Sequence, residues 1–255
     1  MTMGDLGDRM KAYEVRETGR RFMPMLPLYA RIDGKNFSRF TRDMRRPYDE
    51  RMIRCMVGTT IKLVQETGAL AGYTQSDEIS LLWYCPKPKS QLFFDGKSHK
   101  IISVVASMAT GIFWSLSQQY WPGRIPTFDC RAFQLPTKEE AANIFLWREL
   151  DATKNAITMA ANEYYSHSQL MNKNGAEKQE MLFEKGVNFN NYPARFKRGT
   201  FVLRATVIKE LDVETLERIP QDKRPAGPIE RQVVEVTKMP KFSTVDRVAT
   251  LFGNS

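Results

Sequence analysis

Histidine is nearly absent from this chain: His99 and His167 are the only two in 255 residues. That scarcity weakens any scheme built on a histidine base or an imidazole metal site. Cysteine is scarce too. Cys55, Cys85 and Cys130 are odd in number and far apart, which fits neither a disulfide framework nor a zinc knuckle and leaves three reduced thiols as the expectation. No run approaches the roughly 18–20 apolar residues that cross a bilayer, and residues 1–21 lack the apolar centre of a signal peptide. A cytoplasmic protein with no membrane partner is therefore expected. Acidic residues are in deficit, 29 against 38 Lys plus Arg, for a net charge of +9. A basic surface suits polyanions, either nucleic acid or nucleoside triphosphates.

What is present reads as an alternation of strands and helices. A basic, partly helical arm over residues 1–22 leads to a buried strand at 28–32. A basic loop, 39–46, follows, with Pro47 placed for a first helical turn. Apolar residues at helical spacing (Ile53, Met56, Val57, Thr60, Leu63, Val64) predict a helix over 49–67, with Gly68 as its C-terminal cap. Strands are expected at 69–73 and 79–84, a long apolar helix at 100–119 and a strand at 127–135. The order β-α-β-β-α-β is the ferredoxin-like arrangement, which is also the core of the polymerase palm. Beyond it come a helix over 138–167, a flexible segment at 169–176, a short helix at 178–185, a strand at 200–208, an exposed loop at 212–231 and a strand at 232–237. The expectation is an α+β fold: a palm-like catalytic core, 1–136, with a helical C-terminal elaboration plus additional strands, 137–255, integrated with it.

Two acidic turns carry the chemistry. Asp33 and Gly34 end the first strand; Ser76, Asp77 and Glu78 join the second and third. Each places a carboxylate at a strand end, where two can converge on Mg²⁺, a hard cation that takes oxygen ligands. Gly34 lets its carbonyl approach a metal, and the amides from Gly34 to Phe37 can form a small anion nest beside Lys35. Phe37 reads best as a packing residue. Glu78 is either an auxiliary ligand or solvent-facing. Two metal ions so held would activate an attacking hydroxyl and stabilise a leaving pyrophosphate. Lys97, His99 and Lys100, at a helix start, are either a second anion site or an exposed polar loop end; Arg131, near a strand end, is a further phosphate ligand or a solvated side chain.

In sequence order, Arg31-Ile-Asp-Gly-Lys-Asn-Phe37, Tyr73-Thr-Gln-Ser-Asp-Glu78, Phe128-Asp-Cys-Arg131 and Asn188-Phe-Asn-Asn-Tyr-Pro193, followed by Phe196-Lys-Arg-Gly-Thr200, resemble the tRNA-His guanylyltransferase superfamily, the reverse (3′-to-5′) nucleotide polymerases. The resemblance covers residues from about 7 to 203 and implies template-dependent addition of nucleotides to the 5′ end of tRNA. A 5′ monophosphate is first activated with ATP or GTP, then attacked by the 3′-hydroxyl of an incoming nucleotide. It implies two Mg²⁺ ions on Asp33, Asp77 and the Gly34 carbonyl, and a nucleotide loop of Gly34, Lys35, Asn36, Phe37 and Ser38 with Ser76 beside it. It further implies triphosphate contacts from Lys97 and Lys100, second-nucleotide or tRNA contacts among Arg131, Asp151, Asn155, Lys178 and Asn188, and a homotetramer built as a dimer of dimers. Eukaryotic members carry a His-Ile-Asn-Asn stretch after an aspartate; here Thr153 of Asp151-Ala-Thr-Lys-Asn-Ala156 stands where that histidine would be. This departure is typical of the "like" branch, which favours repair of truncated 5′ ends over tRNA-His guanylylation. The alternatives are a palm-type nucleotide cyclase and a non-catalytic RNA-binding module.

Overall fold

The first predicted strand forms as β1 (Leu28–Gly34), two residues longer than expected, so that Asp33 lies within it. The computed structural model describes residues 3–88, 90–225 and 227–253. An exposed helix, α1 (Met3–Thr18), precedes β1; after it come the single turn α2 (Phe37–Phe40), α3 (Glu50–Thr67), β2 (Ala71–Gln75), β3 (Glu78–Trp83), α4 (Ser98–Ser117) and β4 (Phe128–Gln134). The C-terminal half adds α5 (Lys138–Ala161), α6 (His167–Leu170), α7 (Gly175–Glu184), α8 (Ala194–Arg198), β5 (Thr200–Lys209), α9 (Val213–Glu217), β6 (Ile229–Thr237) and α10 (Arg247–Phe252). All strand pairs are antiparallel, in the order β4-β1-β3-β2-β5-β6. The first four strands are the expected βαββαβ unit, and β5 and β6 extend its sheet from β2.

The two-residue period of the strands sorts the core. One side of the sheet (Leu28, Ala30, Ile32, Ile79, Leu81) packs under α3 and α4 against Met56, Leu63, Ile101, Val105 and Phe113. The other (Tyr29, Ala71, Tyr73, Leu82, Phe201) packs under α5 and α10 against Phe145 and Leu251. A third, smaller core joins the C-terminal half of α5 to α6, α7 and α8 through Ile157, Leu170, Leu182 and Phe196.

Caps set the helix ends. Asp49 caps α3 by accepting from the Arg51 amide, and Gly68 closes the helix at φ 69°, as expected. Pro47 does not open that helix. It follows a cis bond two residues before the cap. The predicted 138–167 helix stops at Ala161, and a separate turn begins at His167 behind a Ser166–Gln169 capping box. Residues 169–176 are not the expected flexible segment: Leu170 is buried, and Asn174 with Glu177 forms a second capping box that starts α7.

One expectation about apolar runs is corrected. Among the described residues α4 is long and apolar enough to cross a membrane, with mean hydropathy 1.4. It is the long apolar helix expected at 100–119; serines interrupt its apolar residues, and Ile101, Val105, Ala109 and Phe113 seat one face in the core. The three cysteines are free, as expected, and burial pushes the thiols of Cys55 to about 11 and Cys130 to about 12.

Candidate active site

The antiparallel register brings the two acidic turns together. Asp33 on β1 lies opposite Glu78 on β3 and Asp129 on β4. The Gly34 amide donates to the Asp77 carbonyl at 3.1 Å, so the two turns are tied through their backbones. Each turn contains a non-glycine residue in the left-handed region, Asn36 at φ 57° and Ser76 at φ 49°. A Cβ on Gly34 would lie 2.3 Å from the Phe37 ring. Phe37 itself is buried, stacks on Phe40 at 5.0 Å and meets Phe128 in a tilted contact at 4.9 Å, the packing role expected of it.

The expected anion nest is only half available. The Gly34 amide serves Asp77, and the Lys35 amide donates to the Thr127 carbonyl at 2.8 Å, so two of the four amides are already engaged. Lys35, Asn36 and Ser38 are exposed around the turn.

The carboxylates differ in environment. Burial raises the Asp77 carboxyl above the ordinary range; the Ser76 hydroxyl, donating at 3.0 Å, opposes this, and neighbouring Asp33 adds to it. Glu78 is neither solvent-facing nor free for a metal. It is buried and accepts two hydrogen bonds of 2.7 Å each from the Arg148 guanidinium. Burial raises the Glu78 carboxyl, and Arg148 draws it back. Arg148 also meets Asp151 at 3.2 Å, and the Asn155 amide donates to Asp151 at 3.2 Å, so α5 carries a polar chain from β3 outward.

Two adjoining cavities meet at Asp77. One, of about 410 Å³, is lined by Asp33, Asp77, Glu78, Arg148, Asn155 and Thr158. The other, of about 370 Å³, includes Ser38, Tyr48, Ser76, Asp77, Asn155 and Arg195 in its lining, with Arg45 and Arg46 on the same wall. Tyr48 stacks on Phe196 at 4.6 Å, which fixes α8 against the segment leading into α3.

The structure gathers Asp33, Gly34, Ser38, Ser76, Asp77 and Asn155 around these cavities. Lys178 stands one layer out, donating to the Thr158 hydroxyl at 3.0 Å. Others fall elsewhere. Lys97 and Lys100 are exposed at the start of α4, whose later turns reach the Asp33 end through Thr110 and Phe113. Because β3 runs against β1, the helix that follows it begins at the opposite end of the sheet. About ten helical residues, or roughly 15 Å, separate Lys100 from Thr110. Lys97 and Lys100 therefore do not reach the carboxylates. Lys100 instead lies over the Phe94 ring at 4.7 Å. Arg131 is exposed on edge strand β4, 3.7 Å from Asp129. Asn188 caps a short 3₁₀ turn and opens on a separate cavity with Phe183 and Val187. The Thr153 hydroxyl donates to the Glu149 carbonyl at 3.0 Å within its own helix.

Sequence reasoning missed Arg148, Tyr48 and Arg195 as site residues. Arg148 had a signal: it interrupts the buried stripe Ala141, Phe145, Ala152, Ala156 of α5, and a charge in such a stripe requires a buried partner.

Three comparisons bear on this geometry. Residues 7–136, the βαββαβ half, match the family model described as tRNAHis guanylyltransferase. A bacterial tRNA(His) guanylyltransferase (Thg1)-like protein, solved in complex with ATP, is similar with a TM-score of 0.81 and 33% identity, over 98% of this chain and 100% of that one. A bacterial protein of the same description in complex with GTP gives 0.74 and 32%, over 94% of each chain. The tRNA(His) guanylyltransferase of Saccharomyces cerevisiae is 27% identical over 218 residues, 77% of this chain and 90% of its own.

Proposed function

Because the chain belongs to the tRNAHis guanylyltransferase family, we propose that it extends tRNA 5′ ends by template-directed addition, with repair of truncated ends as its task. It is a nucleotidyltransferase, and its reaction is 3′-to-5′ nucleotidyl transfer on tRNA with nucleoside triphosphates as substrates. That sets aside the cyclase and the non-catalytic RNA-binding module.

The observation that carries the mechanism is the placement of Asp77 at the junction of two cavities, with Asp33 beside it. The cavity with Arg45, Arg46, Arg195 and Tyr48 suits a nucleoside triphosphate: its arginines match phosphate charge, and Tyr48 offers an apolar surface to a base. The carboxylate cavity would receive the reacting 5′ end. Among the described residues no cluster of three or more His, Cys, Asp or Glu exists to cage a metal. The donor set of two carboxylates and a backbone carbonyl suits Mg²⁺, which is commonly held by one or two carboxylates plus substrate phosphates. Asp33, Asp77 and the Gly34 carbonyl would hold it; when bound, it supplies activation of the attacking hydroxyl and charge stabilisation of the pyrophosphate. The backbone bond between the turns keeps Asp33 and Asp77 in fixed relation, and the Arg148–Glu78 pair beneath them fixes the start of β3.

Thr153 supports the repair reading. Its hydroxyl is engaged within α5 and gives no imidazole to recognise a particular tRNA. A homotetramer acting in the cytoplasm completes the proposal; in it, Lys97 and Lys100 would serve a neighbouring subunit's site. The test is 5′ extension of tRNAs lacking the first nucleotide, with each of the four bases at the templating position. The expected product carries the complementary nucleotide. Guanylate added whatever the template would replace repair with fixed guanylylation, and no extension of any substrate would sink the reading.

A further inference from the structure

We propose that the cavity between α3 and the α8–β5 corner is an RNA-backbone subsite that continues the nucleotide cavity; this rests on the reading of the protein as a tRNA 5′-end polymerase. The cavity has a volume of about 660 Å³. Its floor is aliphatic, with Ile53, Val57 and Ile61 of α3 facing Val236 and Met239. Its rim is cationic, with Arg54, Arg195, Arg198 and Lys238.

The cations are poorly matched by the protein itself. Arg54 and Lys238 are exposed and meet no carboxylate among the described residues. Arg198, only 23% exposed, reaches Glu149 at 3.9 Å, and that carboxylate already accepts the Phe242 amide at 2.9 Å. Behind the rim, burial chiefly, and then the charges of Arg198 and Lys241, hold the Lys197 ammonium below its ordinary range. Only Arg195 is well paired, with Glu50 at 2.8 Å.

Geometry favours a strand over a free nucleotide. Arg195 lines both this cavity and the nucleotide cavity, so the Glu50–Arg195 pair stands at the passage between them. The cations come from α3, α8 and the end of β6 and are spread along the rim. No aromatic ring is open to stack a base, since Phe201 is buried. Spaced cations over an aliphatic floor suit successive phosphodiesters with their riboses turned inward, and such contacts announce themselves through counterion release.

The test uses the full-length protein with Arg54→Gln and Lys238→Gln, both on exposed side chains. A tRNA lacking its 5′ nucleotide is titrated without nucleoside triphosphate by fluorescence anisotropy from 50 to 200 mM KCl. Each variant should bind RNA about five- to tenfold more weakly near 0.1 M salt and lower the slope of log K against log salt by about 0.7–0.9. Affinity for ATP and sedimentation should match the wild type. RNA binding and slope equal to wild type would overturn the proposal. So would weakened ATP binding with RNA binding unchanged, which marks a triphosphate site, or an altered oligomer with RNA binding unchanged, which marks an interface between copies. Wild-type 5′ extension, measured separately, judges the polymerase reading: its absence sinks that reading, whereas extension alongside unaffected variants sinks only the subsite.

Discussion

Replacing Arg148 by Met leaves the Glu78 carboxylate in its buried position with no partner nearer than Arg31 at 4.0 Å. The complementary change, Glu78→Gln, is milder, because Arg148 keeps Asp151 at 3.2 Å. Breaking a buried pair by removing one partner costs about 3–5 kcal/mol. Arg148→Met should sit at the upper end of that range and Glu78→Gln at or below the lower. At about 2–4 °C per kcal/mol for a chain of this size, the arginine variant should melt roughly 10–20 °C lower. The pH dependence has a definite sign. Burial already raises the Glu78 carboxyl, and without Arg148 nothing comparable opposes it. An acid whose folded pKa lies above its unfolded value carries its penalty at high pH and loses it as pH falls through the folded value. The deficit of Arg148→Met should therefore be larger at pH 8 than at pH 5. Circular-dichroism melts of wild type, both single variants and a Glu78→Leu/Arg148→Met double variant measure this, and the double should recover much of the loss. A single-variant cost below about 1 kcal/mol, or a deficit that grows toward acid, would refute the account of this pair as a buried ion pair.

Asp33→Asn and Asp77→Asn should each abolish 5′ addition, with Asp77→Asn leaving the melting temperature undiminished at neutral pH because burial of that carboxylate is unfavourable; retained addition in either would remove these residues from the metal site. Gly34→Ala should cost about 1–3 kcal/mol and impair addition, since its Cβ would meet the Phe37 ring at 2.3 Å within a packed aromatic group; an unchanged melt would show that the ring can yield. Hydrogen bonds from the Arg51 guanidinium hold Asp49 down to about 2. Such a depressed group contributes stability above its unfolded value and loses it as pH falls through the folded one, so Asp49→Asn should cost about 2 kcal/mol at pH 7 and converge on wild type near pH 2. Denaturant melts across pH check this, and a pH-independent difference would argue against it.

Local signals were legible where local physics decides. Asp49 and Gly68 bounded α3 because caps are sequence-local, and Asp33 and Asp77 converged because β1, β2 and β3 read clearly as strands. What failed depended on longer range. Lys97 and Lys100 were placed by the attraction of a helix N-terminus for anions, but strand direction puts that terminus at the far end of the sheet. The 169–176 segment looked flexible through its polar residues, yet two capping boxes and buried Leu170 order it. Glu78 reads as an auxiliary ligand or a solvent-facing residue of a hairpin turn because its partner, Arg148, comes 70 residues later. Arg195 and Tyr48 join the site only through the packing of α8 on the segment before α3.

The third core, joining the end of α5 to α6, α7 and α8, lets one wall of the site be repositioned independently of the sheet. It carries Phe196, the ring that seats Tyr48, and holds α8 with Arg195 beside the cavity at Asp77, yet its buried residues are separate from those that hold the sheet. Substitutions there would shift Arg195 and Tyr48 while leaving the backbone bond between the acidic turns in place.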